Sequence, residues 1–430
     1  MNLNTRRMSF PVGKVMRIRK RTKMGTEAHQ PLKPGIIFLM ALGCGVDVAD
    51  NYYHQPLLPQ MAHGVHVPEE WIAYLPALNQ AGFALGLLLF VPLGDLFERR
   101  RLVVLSLGAA AIMLVMVAVA PTFSMLAAAI FTLGLLGVGV QLLIPFAAHL
   151  APPAERGRVV GTVMGGMLCG VLLSRTISGI VGDSLGWRVM YWIAAVATFG
   201  VLLVLWAVLP KSQPSARLPY TALLRSMVVL VREEPTLRES CLFGAATFGA
   251  FSAFWANLAF HLSGPPFNYG SVVAGLFGLI GVVGVVAAPL VGRAGDRLNA
   301  RRMIGVGIVI TILSFMLFGL GGRQLWVLMG GVVLMDLGVQ IVHVSNQTRN
   351  QALRSDARNR LNTVYMFSYF VGGVVGSSLG AAAWAAVGWA GVCAVGIILP
   401  ILALGVFVFN APARPKRDVT ETEGRAVTGT

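Results

Sequence analysis

The stretch "GDLFERRR", residues 94–101, recurs as "GDRLNARR" at residues 295–302, a shift of 201 positions. Each copy follows one long apolar run and opens onto another. Two further landmarks keep nearly the same spacing: "ERGR" (155–158) returns as "ARNR" (357–360), and Gly186-Trp187 returns as Gly388-Trp389. The chain therefore contains an internal repeat. In a membrane protein such a repeat places the ligand site between the halves, near the middle of the bilayer.

The composition supports a membrane setting. The 430 residues are 56% hydrophobic and 12% charged, with a mean hydropathy of +0.73. A soluble domain carries about 25% charged residues, so recurring apolar runs of this length read as spanning helices. A net charge of +16 would suit nucleic acid only on a basic face of a soluble domain. Here the basic residues lie between apolar runs, so no nucleic-acid partner is expected. Of the 34 Lys and Arg, all but Arg175, Arg188 and Arg323 fall in the tails or in loops on the N-terminal side. The positive-inside rule makes that side cytoplasmic. The four cysteines (Cys44, Cys169, Cys241, Cys393) are isolated, which supports neither a disulfide framework nor a metal site.

Twelve spans are expected near 35–58, 71–94, 102–120, 123–149, 158–183, 189–210, 240–262, 271–293, 303–321, 325–347, 362–386 and 390–410. The organisation is a disordered basic tail (1–34), a six-helix bundle (35–210), a cytoplasmic linker (211–239), a second six-helix bundle (240–410) and a C-terminal tail (411–430). The tail carries no cleavable signal pattern, and "LLRSMVVLV" in the linker could lie along the membrane surface as an amphipathic helix. The protein is expected to be an all-α, multi-pass plasma membrane protein of the bacterial inner membrane, with both termini cytoplasmic.

Spans three, six, nine and twelve are almost purely apolar, as lipid-facing helices should be. Spans one, four, seven and ten hold Asp47, Asp50, Asn51, His54, Gln55, Gln141, Asn257, His261, Asp336, Gln340, His343, Asn346 and Gln347. A polar helix in every third position suggests four helices around one aqueous cavity.

The "PLGDLFERRRL" and "GRAGDRLNARR" stretches resemble the paired cytoplasmic signature loops of the major facilitator superfamily, and the resemblance covers essentially residues 35–410. It implies two pseudo-symmetric six-helix bundles that rock about a central site, with helices one, four, seven and ten lining the cavity. It also implies state control, a cytoplasmic latch of the outward-facing state, by Asp95, Arg99, Arg100, Asp296, Arg297, Arg301 and Arg302. The first loop departs from the pattern at Val91, Leu96 and Glu98. "NYYHQPLLP", "LLSRTISG" and "FWANLAFHLSGPPFNYG" are similar to twelve-helix drug/proton antiporters and purine-nucleoside exporters. Span five nonetheless has Arg175-Thr176 where the antiporters carry a Gly-Pro pair, and span four lacks their early arginine.

Asp47 and Asp50 lie about 18 and 22 Å along helix one from Gly35. An ionisable group at such a depth costs at least ~2.5 kcal/mol and usually faces water or a partner. Two carboxylates one turn apart also resist joint ionisation, which suits a proton carrier. Asp47, Asp50, Asn51 and His54 follow i, i+3, i+4, i+7 spacing and should share a face. Asp336, about 15 Å from Trp326, heads a stripe with Gln340, His343 and Gln347. The residues expected to couple protons are thus Asp47, Asp50, Asp336 and Arg175, with Arg175 as counter-ion to Asp47 or Asp50. The substrate contacts expected are Asn51, His54, Gln55, Gln141, Trp255, Asn257, Gln340, His343 and Gln347.

No HExxH or GxSxG motif sits in a suitable helix and no phosphate loop is present, so an enzyme or nucleotide-driven pump is not expected. No cofactor is implied. The reading is a monomeric secondary transporter that exports a small organic solute against protons. The alternatives are an importer or facilitator of an anionic solute held by Arg175 and, from another class, a membrane-embedded sensor or enzyme.

Overall fold

The computed structural model describes residues 33–211, 219–282, 299–354 and 357–410, and not the side chain of Asp95. The expected disordered tails and the Asp296-Arg297 pair lie outside the described residues. Among the described residues, eleven helical stretches are long and apolar enough to cross a membrane. They are α1 (Pro34–Gly64), α2 (Glu69–Phe90), α3 (Arg99–Val119), α4 (Phe123–Leu150), α5 (Arg156–Leu185), α6 (Trp187–Val208), α7 (Pro235–Ser263), α9 (Ala300–Gly321), α10 (Leu325–Gln351), α11 (Arg358–Val387) and α12 (Trp389–Phe409). Between α7 and α9, the shorter α8 (Ser271–Ile280) begins where the eighth span is expected. The rest of that span lies outside the described residues. The architecture is all-α, in two halves.

The halves repeat each other in how their helices cross. On α1 and α5, a Cβ added at Gly166 would stand 2.2 Å from the Ala41 carbonyl oxygen, and one at Gly170 2.1 Å from that of Gly45. On α7 and α11, Cβ atoms at Gly372 and Gly376 would stand 2.1 and 1.9 Å from the carbonyl oxygens of Ala245 and Gly249. Small residues four apart let backbones touch, which is how helices associate where lipid removes the hydrophobic drive. The Gly-Trp echo is explained too. Gly186 and Gly388 end α5 and α11 at φ +89° and +66°, a region glycine enters without a Cβ clash, and the following tryptophan opens the next helix.

Large exposed apolar residues line α3, α6, α9 and α12, among them Leu105, Phe199, Leu313 and Leu402. This is the lipid-facing set expected from composition. The halves meet where α5 packs on α8 and α2 on α11. At the end of the bundle away from the arginine-rich loops, the join is tight. The Thr176 hydroxyl donates to the Gly275 carbonyl (3.1 Å) and Gln60 Nε2 donates to Ser271 Oγ (3.0 Å).

The linker holds an amphipathic helix, Tyr220–Glu233, that buries Leu223, Met227 and Leu230. It bridges the halves: the Tyr220 hydroxyl donates to the Leu89 carbonyl (3.0 Å), while Arg354 pairs with Glu233 (2.9 Å) and Glu234 (2.8 Å).

Candidate functional site

Two helices near the centre are irregular. α1 is regular over Pro34–Asp50, passes through turns and a short 3-10 step, Gln55–Leu57, and resumes as Leu58–Gly64. α4 breaks after Leu136 and restarts at Gly139. Asp47 meets that break: its Oδ2 accepts from the Val140 backbone N–H at 2.7 Å. A carboxylate at a helix start satisfies an otherwise orphaned donor and opposes the positive end of the helix dipole. Asn51 donates to the Asp47 carbonyl (3.0 Å), and Asn79 of α2 reaches Asn51 Oδ1 and the Ile130 carbonyl, both at 3.3 Å.

The expected shared face on helix one is divided among three neighbours. Asp47 and Asn51 face α4, whereas Asp50 points to α6, where its Oδ2 accepts from the Thr198 hydroxyl (2.9 Å). His54 and Gln55 follow the end of the regular helix and turn to the middle of the molecule. The i, i+3 step spreads side chains about 60° around an axis, enough for Asp47 and Asp50 to meet different helices. Removing the Asp47 carboxylate should therefore act on stability. Asp47→Ala is expected to lower stability by about 0.5–2 kcal/mol, the usual range for a lost helix cap, and Asp47→Asn by less. Thermal unfolding of the two variants checks this.

Arg175 is buried in the join between halves. Its Nε donates to Gln55 Oε1 at 2.6 Å and its Nη1 to the Val171 carbonyl at 3.4 Å. The guanidinium lies over the rings of Tyr52 and Trp255, 4.8 and 4.1 Å from their centroids. Its expected pairing with Asp47 or Asp50 is absent, because those carboxylates are turned to α4 and α6. Asp336 of α10 lies near enough to act on it electrostatically, with no salt bridge between the two. Both groups border α8: a Cβ at Gly278 would stand 2.9 Å from Arg175 Cβ, and one at Gly281 2.9 Å from Asp336 Oδ2. Only about 10 Å³ of free space adjoins Arg175.

A separate cavity of about 140 Å³ shares Gln55 with the small space at Arg175. Its polar lining comes from one half: Asn51, Tyr52, His54 and Gln55 of α1, Asn79 and Gln80 of α2, and Gln141 of α4. The other half supplies Phe248, Met366 and Phe370. Among the described residues neither nitrogen of His54 has a hydrogen-bond partner, and Gln80, which donates through Nε2 to Ser377 Oγ (3.4 Å), leaves its Oε1 unpaired. Toward the arginine-rich end, a second pocket shares Gln141 and Met366 and is bordered by Arg99, Met227 and Asn359.

The remaining expected contacts lie elsewhere. On α10, His343 exchanges hydrogen bonds with the Tyr365 hydroxyl and Gln347, both at 3.2 Å. Tyr369, whose ring stacks on Phe248 at 4.0 Å, stands between that histidine and the cavity. Gln340 is half-buried on α10 and does not border the cavity. Asn257 donates to its own helix at Ala253 (2.8 Å) and packs on Gly380. Trp255 serves Arg175. The cavity is thus walled by α1, α2, α4, α5, α7 and α11 rather than by helices one, four, seven and ten. Asn79 and Gln80 fall outside the expected contacts, although two adjacent amides inside an apolar span are a readable signal.

At the arginine-rich end, Arg99 bonds the Gly94 carbonyl (3.1 Å) and Arg100 the Trp206 carbonyl, both within one half. Arg301 and Arg349 share Glu239 at 3.2 and 2.6 Å within the other. Arg302 is exposed.

A polytopic bundle of two repeated halves with a small cavity between them is the architecture of a membrane transporter. The chain belongs to the Major Facilitator Superfamily, whose family model matches residues 40–293 and 271–429. It is 41% identical to the uncharacterized transporter YgaY of Escherichia coli (strain K12) over 383 residues, 89% of this chain and 97% of that protein. A protein of Streptomyces coelicolor named a probable transporter is 38% identical over 358 residues, 83% of each chain. Among solved structures, a bacterial homologue of the human lysosomal transporter Spinster, inward-facing and occupied, superposes with a TM-score of 0.71 at 14% identity. The match covers 89% of this chain and 100% of that one. The nucleoside transporter NupG gives a TM-score of 0.71 at 14% identity, over 87% and 98%. These two likenesses concern the fold. The chain is a multi-pass membrane transporter acting on a small molecule, and not an enzyme.

Proposed function

We propose that this transporter works by alternating access and exports a small organic solute in exchange for protons, with the Arg175–Asp336 pair as the coupling element. The observation that carries this reading is the placement of one buried cation at the join. Arg175 is fixed to Gln55 and Tyr52 of one half and to Trp255 of the other, and Asp336 borders the same side of α8 as it does. A proton arriving at Asp336 cancels the charge opposite Arg175. This weakens the attraction between the halves at that point, and its departure restores it. Asp47 and Asp50, held by Val140 and Thr198, then set helix geometry more than they carry protons.

With the arginine-rich end cytoplasmic, the close packing of α5 on α8 seals the outer face, and the second pocket leads from the cavity to the inner face. An anionic solute held by Arg175, the importer reading, would use its unpartnered Nη2. The space beside it is only about 10 Å³, so the neutral-cavity export reading is preferred.

The test is a proteoliposome screen with an entrapped pH indicator. A transported solute should move protons in the opposite direction, and an imposed pH gradient should drive its accumulation. Asp336→Asn should abolish gradient-driven accumulation and keep solute–solute exchange. Gradient-driven accumulation that survives Asp336→Asn rules out this coupling element, and co-movement of solute and protons rules out export by antiport.

A further inference from the structure

We infer that the cavity between α1, α2, α4, α5, α7 and α11 selects an uncharged solute with hydrogen-bonding groups on one side and a flat apolar face on the other. The inference rests on the transporter reading and deepens it by naming the substrate class. The division of the wall carries it. Amides and an imidazole from one half face Phe248, Met366 and Phe370 from the other; Phe370 lies 4.4 Å from Phe83 of the first half, and Phe248 is braced by stacking on Tyr369. A ligand here meets a few hydrogen-bonding groups on one side and carbon over the rest of the wall.

The free hydrogen-bonding capacity fits such a ligand. His54 is 2% exposed and neither ring nitrogen has a partner. A neutral imidazole offers one donor and one acceptor; Gln80 donates through Nε2 to Ser377 Oγ (3.4 Å), and its Oε1, packed against Gly373, is left as an unmet acceptor. Buried polar atoms without partners carry a free-energy cost that a bound donor and acceptor would remove.

The same wall disfavours ions. Among the described residues, no Asp, Glu, Lys or Arg borders the cavity, so a charged solute would be stripped of water with no counter-charge to replace it. The nearest guanidinium, Arg175, is covered on its faces by Tyr52 and Trp255 and bound to Gln55. Asp47, behind the wall, is already engaged by the Val140 N–H. An aromatic wall alone would also suit a cation, so the test includes one.

Three probes of nearly one shape separate the cases: benzamide, benzoate and benzylammonium. Binding to the purified full-length protein in neutral detergent, followed by saturation-transfer NMR with titration, reads the site without any gradient. Benzamide is expected to bind at least tenfold more tightly than either ion. His54→Ala and Gln80→Leu are each expected to weaken it severalfold while the melting temperature stays near that of the parent. Equal or tighter binding of either ion, no binding of benzamide, or benzamide binding indifferent to both substitutions overturns the inference. Failure of the proteoliposome screen would instead strike the transport mechanism, since the binding measurement is independent of it.

Discussion

Arg175→Gln is expected to abolish pH-driven solute movement, and Arg175→Lys is expected to reduce it at least tenfold. The guanidinium does three things at once: it donates to Gln55 Oε1, lies over two aromatic rings and opposes Asp336. Glutamine keeps a donor but removes the charge, leaving Asp336 without its electrostatic partner and the rings without contacts worth about 0.5–2 kcal/mol each. Lysine keeps the charge, but its ammonium is a compact point with no planar fork to stack and donate together. A purely structural role would lower the melting temperature and slow exchange and gradient-driven transport alike. A coupling role would spare solute–solute exchange and remove the response to pH. Wild-type pH-driven transport in both variants excludes Arg175 from the mechanism.

The second large effect is on assembly of the bundle. Gly166→Ala is expected to destabilise the protein strongly, and Gly165→Ala, one residue away, to be neutral or slightly stabilising. At Gly166 the added methyl would stand 2.2 Å from the Ala41 carbonyl oxygen and 2.6 Å from its carbon, so α1 and α5 must separate. At Gly165 nothing lies within 4 Å. Alanine at a free helical glycine usually contributes about 0.4–1 kcal/mol by restricting the unfolded chain. Overpacking typically costs about 1–3 kcal/mol, and at Gly166 the obstacle is backbone, which cannot swing aside. Gly376→Ala, 1.9 Å from the Gly249 carbonyl oxygen, should behave like Gly166→Ala. Thermal unfolding in detergent of the three variants checks the contrast, and equal stability of Gly165→Ala and Gly166→Ala would refute it.

Much of the fold is legible in the sequence because each signal is local or periodic. Apolar run length identifies spans, and the spacing of "GDLFERRR" from "GDRLNARR" identifies the repeat. The uniformly apolar third, sixth, ninth and twelfth spans carry many exposed apolar side chains. The site is less legible. Asp47 and Asp50 look alike in sequence, one turn apart in one apolar helix, yet one caps the restart of α4 and the other meets Thr198 on α6. Arg175 resembles their counter-ion because it is the lone basic residue at depth. Its neighbours are instead Gln55, Tyr52 and Trp255.

The order of residues determined by itself that this chain crosses the membrane many times, that it is built twice over and that its polar groups concentrate in particular helices. Those properties follow from hydropathy, charge and spacing, which act along the chain. Which polar groups face one another was decided only by the tertiary structure. A rotation of some tens of degrees about a helix axis, or a break such as the one at Gly137-Val138, redirects a side chain from one neighbour to another without changing its depth. The cavity's division into an amide wall and an aromatic wall arises in that way, from α2 and α11 meeting across the halves.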